Sequence, residues 1–516
     1  MSHRRAAMPL QRASVQRWRS TSVAEAFLWS LIIAGCLRAF SFGVTGLDWD
    51  ESFYAVVAQR WLNGGVPYAD IWDIHPMGVP ALYALAIWLV GDGLLAARLL
   101  AWFAVAGTAT LLWAFAERYL RLWPAGLLAG VSYLAYMARP EGLAANTEVF
   151  NNLAVAAASF VLAGELISAR VVPVFAGSLL LGVGLQFKYV VFPEAAMLCG
   201  TLLLYQLRNG ATLRRTIGLA GIAIAGGLLP TLIATAYYWW AGALPAYLDA
   251  TLRANIAYVD EPLVWSTIFL RLRYGLLPIS GLLVWPFVLA VLARRRVFDS
   301  RQRVICLWVI IWLVAACIDV IMPLKFWKHY FNALVPPLCL ISALGATLLA
   351  HEMAANFGRV LAVGVTLTLL PAAVEIAGHI SDSRSFGRTN VPREIADRIN
   401  AGGSNGHDVY VFDYDPLVYV WSDNAPPSRF VLGVELAEFA AGTGTSAEAE
   451  IGRILDTRPR WIVLERPSPY HYTDAILGEL NTALRNYKLD ATFPETDYIQ
   501  PTVEVALYRR VGEHGE

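Results

Sequence analysis

Two adjacent carboxylates, Asp50 and Glu51, stand in the stretch Gly46-Leu-Asp-Trp-Asp-Glu-Ser-Phe-Tyr54, directly after the first long apolar run. Phe53, Val56, Val57 and Trp61 recur at three- to four-residue spacing and Gly64-Gly65 stops the pattern. That predicts an amphipathic helix with Asp48 or Asp50 at its cap and Glu51 in its first turn. Free N–H groups and the positive end of the helix dipole favour ionised carboxylates there, and capping alone accounts for them equally well. A second set is basic: Arg98, Lys188 and the stretch Lys325-Phe-Trp-Lys-His-Tyr330. Cations set against apolar segments ask for an anionic partner, and phosphate is the matching group.

The elements that must position these residues are membrane helices. The chain has 516 residues, 57% hydrophobic and 16% charged, with 18 Trp. Many apolar runs approach the roughly 20 residues that cross a hydrocarbon core. Zero net charge hides an asymmetry: residues 381–516 hold 21 acidic against 13 basic side chains, residues 1–380 hold 19 against 27. A basic membrane region with a mildly acidic tail gives no reason to propose a nucleic-acid partner. Cysteines 36, 199, 306, 317 and 339 lie in or beside apolar runs without a CxxC pair, so neither a disulfide framework nor a zinc site is indicated.

Charge sets the expected topology. A basic arm, residues 1–23, precedes a first span at about 24–42 that lacks a cleavage site, which places the N-terminus in the cytoplasm and the Asp50 loop (43–93) outside. The run from Met77 to Val90 is too short to cross, at about 1.5 Å per residue, and is read as lying along the outer surface. Further spans follow at about 94–116, 122–138, 148–168, 171–187, 190–207, 216–240, 275–293, 303–322, 331–350 and 359–380. This gives eleven, with the basic loops at Arg208–Arg215, Arg294–Arg303 and His351–Arg359 inside. After Ile380 the chain turns soluble. Strand-like runs at Asp408–Phe412, Leu417–Trp421, Arg429–Leu432, Trp461–Glu465 and Val503–Arg509 mix with helix-like segments at about 392–401, 446–457 and 473–487. The fold class is thus a polytopic α-helical membrane protein, residues 24–380, with a small extracytoplasmic α/β domain, residues 381–516.

This topology gathers many ionisable residues at the outer face. Besides those above they are Asp70, Asp73, His75, Arg139, Glu141, Glu148, Arg253, Asp260, Glu261, Arg271 and Arg273. Plainer readings exist for several. Lys325, Trp327 and Lys328 suit an interfacial belt, Arg139 and Glu141 suit solvated loop charges, His75 before Pro76 suits a turn, and Glu148 suits a helix start. Arg98 and Lys188 are harder to dismiss, since each lies against a long apolar segment with little loop to escape into.

Asp50-Glu51-Ser-Phe-Tyr54 followed by Pro67-Tyr-Ala-Asp-Ile-Trp-Asp-Ile-His-Pro76 resembles the GT-C superfamily of glycosyltransferases, nearest to the protein O-mannosyltransferase and lipid A aminoarabinose transferase group. Arg98, Lys188 in Gly182-x-Gly184-x-x-x-Lys188, and Lys325-x-x-x-His329-Tyr330 before Pro336-Pro337 extend the match over residues 20–350. The resemblance implies a GT-C fold with about 11 transmembrane helices in a bacterial cytoplasmic (inner) membrane. It implies an inverting enzyme that moves a sugar from a polyprenyl-phosphate donor to an envelope lipid, polysaccharide or protein. On that reading Asp50 is the general base, with Glu51 beside it. Arg98, Lys188, Lys325, Lys328, His329 and Tyr330 hold the donor phosphate, and Tyr54, Tyr68, Asp73, His75 and Glu148 line or support the substrate site. Glu51 and Glu148 are the candidate ligands for a divalent cation, Mg2+ or Mn2+, since hard cations prefer carboxylate oxygen. His75 departs from the pattern, as relatives usually carry Lys-Pro-Pro or His-Pro-Pro where this chain has His75-Pro76-Met77.

Two other classes share the gross features. A lipid-linked-sugar transporter or flippase would be expected to show repeat symmetry and spans broken near the midplane. A non-catalytic assembly protein needs neither an ionised Asp50 nor a basic cluster opposite it. The sugar, the acceptor and the prenyl length are not written in the sequence.

Overall fold

The computed structural model describes residues 21–511 apart from 44–46, 92, 260–263, 295–299, 382–389, 438–442, 469–471 and 496–502. Most of the basic arm, Asp260 and Glu261 therefore lie outside the described residues. α1 (Val23–Arg38) opens on a capping box, Ser22 and Glu25 each accepting the other's backbone N–H. After it come α2 (Trp49–Leu62), α3 (Gly78–Val90), α4 (Gly93–Phe115), α5 (Ala125–Tyr136), the single turn α6 (Pro140–Leu143), α7 (Thr147–Gly164), α8 (Val171–Phe187), α9 (Phe192–Arg208) and α10 (Leu213–Trp240). Short turns α11 (Leu244–Leu248) and α12 (Asn255–Val259) lead to a broken crossing, α13 (Trp265–Leu276), α14 (Ser280–Leu283) and α15 (Trp285–Arg294). The membrane region ends with α16 (Ser300–Ile321), α17 (Val335–Glu352) and α18 (Phe357–Ser381).

All eleven expected spans are helical. Among the described residues nine helical segments are long and apolar enough to cross a membrane, whereas α5, with 12 residues, and α8, with 17, fall short. α5 tolerates its length because it is inside the bundle, with Ala129, Tyr133 and Tyr136 fully buried. α17 is buried along almost its whole length and forms the axis, while α10 and α18 are mostly open on the outside. Small residues set a close crossing: a Cβ at Gly182 would stand 2.3 Å from the Gly227 carbonyl, so α8 and α10 meet backbone to backbone. α3 has 13 residues, about 20 Å of helix, less than the core of a bilayer. It buries Val79, Tyr83 and Ile87 and leaves Leu85, Trp88 and Leu89 open.

The tail forms a four-stranded sheet of β1 (Val409–Phe412), β2 (Trp461–Arg466), β3 (Tyr487–Glu495) and β4 (Val503–Arg510) in the order β1-β2-β4-β3. β1 and β2 are parallel; β4 pairs antiparallel with β2 and β3. Helices at Val391–Ala401, Ala447–Asp456 and Asp474–Leu484 match the expected positions. Two expected strands are absent. Leu417–Trp421 is a helical turn, because Asp415 accepts the Leu417 N–H and the turn packs on α2. Arg429–Leu432 is loop, its backbone spent on Trp72, Ser428 and Glu435. The strand missing from the sequence reading is β3, an edge strand that accommodates Pro494.

Candidate functional site

The start of α2 separates the two roles that the sequence left merged. Asp48 is the cap, its Oδ1 accepting the Asp50 N–H at 3.2 Å. Asp50 is thereby released from capping and stays partly open, its Oδ2 accepting from Asn146 Nδ2 at 3.0 Å. The same Asn146 amide reaches Asp48 Oδ2 at 3.0 Å, and its carbonyl caps α7 through the Thr147 N–H. Asn146 was not singled out from the sequence, although Asn-Thr-Glu before an apolar run is a helix-start pattern. Burial and the neighbouring Asp50 charge push the Asp48 carboxyl up to about 7.

Glu51 points the other way and is fully buried. Arg98 grips it with two nitrogens, Nη2 to Oε2 at 3.0 Å and Nε to Oε1 at 3.3 Å, and the Ala145 N–H adds a third bond at 3.2 Å. Arg98 also donates to the Ser41 carbonyl and is 2% exposed. Arg98 is thus held in a buried ion pair that ties α2 to α4, and Glu51 faces Arg98 and the Ala145 N–H.

The basic half assembles from distant parts of the chain. Lys188, at the end of α8, places Nζ 2.5 Å from Glu148 Oε1 and 3.5 Å from the centroid of the Tyr330 ring. Thr147 Oγ1 donates to the other Glu148 oxygen at 3.0 Å. His329 stacks edge-on to Tyr330 at 4.9 Å and lies within electrostatic reach of both Asp48 and Glu148. Lys325 and Lys328 belong to a separate rim. Lys328 Nζ is 3.8 Å from Glu141 and 5.3 Å from the Tyr274 ring, while the Lys325 carbonyl accepts from Arg271, whose guanidinium lies 3.7 Å over Trp327. Arg139, expected as a solvated loop charge, is buried between Asn332 and Glu375.

The Pro67–Pro76 loop bridges the two halves. Asp73 Oδ1 accepts the His75 N–H at 2.9 Å and faces its Nδ1 at 2.8 Å. Burial opposes a charged imidazole, but the Asp73 carboxylate more than offsets it, and His75 is held above its ordinary value. His75 is within electrostatic reach of both Asp50 and Lys188. Tyr68 takes a left-handed backbone (φ 68°), donates to the His75 carbonyl at 2.8 Å and packs on Tyr238 and Tyr247. It shapes the loop. The Tyr54 hydroxyl and Asp73 Oδ2 are buried without a partner among the described residues, a donor and an acceptor left over at the heart of the site. Above the loop, the Trp72 N–H donates to the Arg429 carbonyl at 2.8 Å and its ring meets Phe430, so the tail domain seats on this site.

Glu51 and Glu148 do not fit a divalent cation between them. Each carboxylate answers its own cation, Arg98 or Lys188, and among the described residues no group of three or more His, Cys, Asp or Glu could hold a metal ion.

The backbone resembles that of ArnT from Cupriavidus metallidurans bound to undecaprenyl phosphate, with TM-score 0.59 and 15% identity over 94% of this chain and 97% of that one. ArnT in the apo state gives TM-score 0.59 at 14% identity, over 94% and 98%. The apo oligosaccharyltransferase of Archaeoglobus fulgidus gives 0.54 at 10%, over 92% of this chain and 73% of that one. The chain has the GT-C fold. No protein-family profile and no curated protein sequence matches it. The likeness rests on the path of the backbone.

Proposed function

We propose that this GT-C chain transfers a sugar from a polyprenyl-phosphate donor to an envelope acceptor at the outer face of the bacterial cytoplasmic membrane, with inversion. The observation that carries the proposal is the release of Asp50 from the helix cap, opposite a buried Lys188–Tyr330 pair built from distant segments. Asp50 takes the proton of an acceptor hydroxyl while its oxygen attacks the anomeric carbon. The bond from that carbon to the phosphate oxygen breaks on the opposite face. Lys188 and His329 stabilise the negative charge that collects on the departing phosphate. A well-placed base contributes ~10²–10⁴-fold and the basic pair adds to it. The unpartnered Tyr54 hydroxyl and Asp73 oxygen match a sugar hydroxyl, which accepts from one and donates to the other. Bound undecaprenyl phosphate in the similar ArnT structure supports a lipid-linked donor. The convergence of separate charged loops on one site speaks against a transporter or a passive scaffold.

The test is mass spectrometry of envelope glycans and lipid-linked sugars in cells with and without the gene, followed by turnover of the purified Asp50→Asn variant. Asn preserves shape and hydrogen bonding yet cannot accept a proton, so a loss of ~10²-fold or more with intact donor binding is expected. Near-normal transfer by Asp50→Asn would remove it as the base.

A further inference from the structure

The tail domain does more than cover α2: a polar cleft of about 220 Å³ runs between them, away from Asp50 and Lys188. From α2 it is lined by Gln59, Arg60 and Asn63, and from the tail by His407 and Asp423. None of these five side chains makes a hydrogen bond or ion pair within the chain among the described residues. Each has been left with its donors or acceptors free at a place where two units close on one another. Val56 on one wall and Pro426 on the other supply small apolar faces between them.

The set is selective in its chemistry. Two carboxamides, a guanidinium, an imidazole and a carboxylate offer both donors and acceptors, and Arg60 and Asp423 cancel in charge. A phosphate or carboxylate ligand would want a net positive wall, and Asp423 opposes it. A neutral polyhydroxylated ring suits the cleft: its hydroxyls donate and accept at once, and its C–H face packs on Val56 or Pro426. The volume admits a ring of one saccharide unit. Along α2, Arg60 lies about 15 Å from Asp50 at 1.5 Å per residue, so such a unit is not the one that reacts.

Resting on the proposed transferase reading, we infer that the cleft between α2 and the tail domain binds a neutral saccharide unit of the acceptor, remote from the reacting hydroxyl. The acceptor is then a glycan or a glycan-bearing lipid, and its binding at a distance helps to hold the reacting end at Asp50. The tail domain acquires a role as one wall of the acceptor site.

The test uses the full chain in nanodiscs, printed arrays of neutral and anionic bacterial oligosaccharides as the probe, and the variants Arg60→Ala, Asp423→Ala and Asp50→Asn. Neutral oligosaccharides should be retained by the wild type and by Asp50→Asn. They should bind at least ten-fold more weakly to Arg60→Ala and Asp423→Ala, with undecaprenyl phosphate binding unchanged in both. Retention of anionic glycans only, sensitive to Arg60→Ala and indifferent to Asp423→Ala, overturns the neutral-saccharide assignment. Equal retention by the wild type and the cleft variants, or none by any, overturns the subsite. Asp50→Asn separates the two ideas: full transfer by that variant with intact cleft binding defeats the transferase mechanism and spares the subsite.

Discussion

The Lys188 ammonium lies 3.5 Å from the Tyr330 ring centroid and 2.5 Å from a Glu148 oxygen, a buried cation shared between an aromatic face and a carboxylate. Two segments more than 130 residues apart thus meet at one charge. Removing Lys188 alone leaves Glu148 as an unpaired buried carboxylate, which should destabilise the protein by about 3–5 kcal/mol. Lys188→Ala with Glu148→Ala should recover much of that loss while donor affinity stays low. Tyr330→Phe keeps the ring under the ammonium and should melt closer to the wild type than Tyr330→Leu does. Thermal melts in detergent and donor titrations separate these outcomes, and equal losses for the single and the double change would dissociate the pair.

Lys328 stands apart at the rim with Glu141 and Tyr274. Lys328→Ala should therefore weaken donor binding far less than Lys188→Ala, and the two effects should add within about 0.5 kcal/mol, as for separate sites. A double variant no weaker than Lys188→Ala alone would place both cations on one phosphate.

Glu51 and Arg98 make a contrasting case. Their pair is dry, two-pronged and reinforced by backbone, so either Glu51→Ala or Arg98→Ala should cost about 3–5 kcal/mol, and the double variant less than the sum. Donor affinity of the folded fraction should not change. A drop in donor affinity with normal stability in Arg98→Ala would return that residue to the phosphate site.

Much of the frame could be read from the sequence because a bilayer demands long apolar helices, and basic loops order them. Pairing could not. Arg98 and Glu51 are 47 positions apart, and nothing in either neighbourhood distinguishes a buried ion pair from a ligand site. The cap illustrates the same limit at short range: Asp48 and Asp50 are both acceptable caps, and only the folded bond from the Asp50 N–H to Asp48 Oδ1 decides between them. In the tail, Leu417-Val-Tyr-Val-Trp421 has strand composition, yet its packing on α2 and the Asp415 cap wind it into a helical turn.

The orientation in the membrane is open to a direct check. Asp397, well exposed on the Val391–Ala401 helix, should react as cysteine with an impermeant maleimide added to intact spheroplasts. Arg208, exposed at the end of α9, should react as cysteine only after the membrane is opened. The reverse pattern would turn the acidic loop to the cytoplasm and remove the proposed site from the outer face.

Asp413 supplies a pH-dependent prediction for the tail domain. It follows β1 in a left-handed backbone (φ 55°) and accepts from Ser468 Oγ at 2.7 Å and the Tyr472 hydroxyl at 2.5 Å. Gly433 closes over it so tightly that a Cβ there would stand 1.9 Å from Oδ1. Burial pushes this carboxyl up to about 6 from an ordinary value of 3.8. A raised carboxyl favours the folded state when protonated. Its contribution is therefore full below about pH 4, fades as the pH rises through about 6, and is flat above; the whole change is about 3 kcal/mol. Asp413→Asn carries no charge to bury, so its stability relative to the wild type should climb between pH 4 and pH 7 by up to that amount. Hydrogen exchange of the β1 and β2 amides in both proteins across that range isolates the difference from other titrating groups. A gap between variant and wild type that stays constant with pH would mean that Asp413 titrates in the fold as it does in the unfolded chain, its hydroxyl partners compensating the burial.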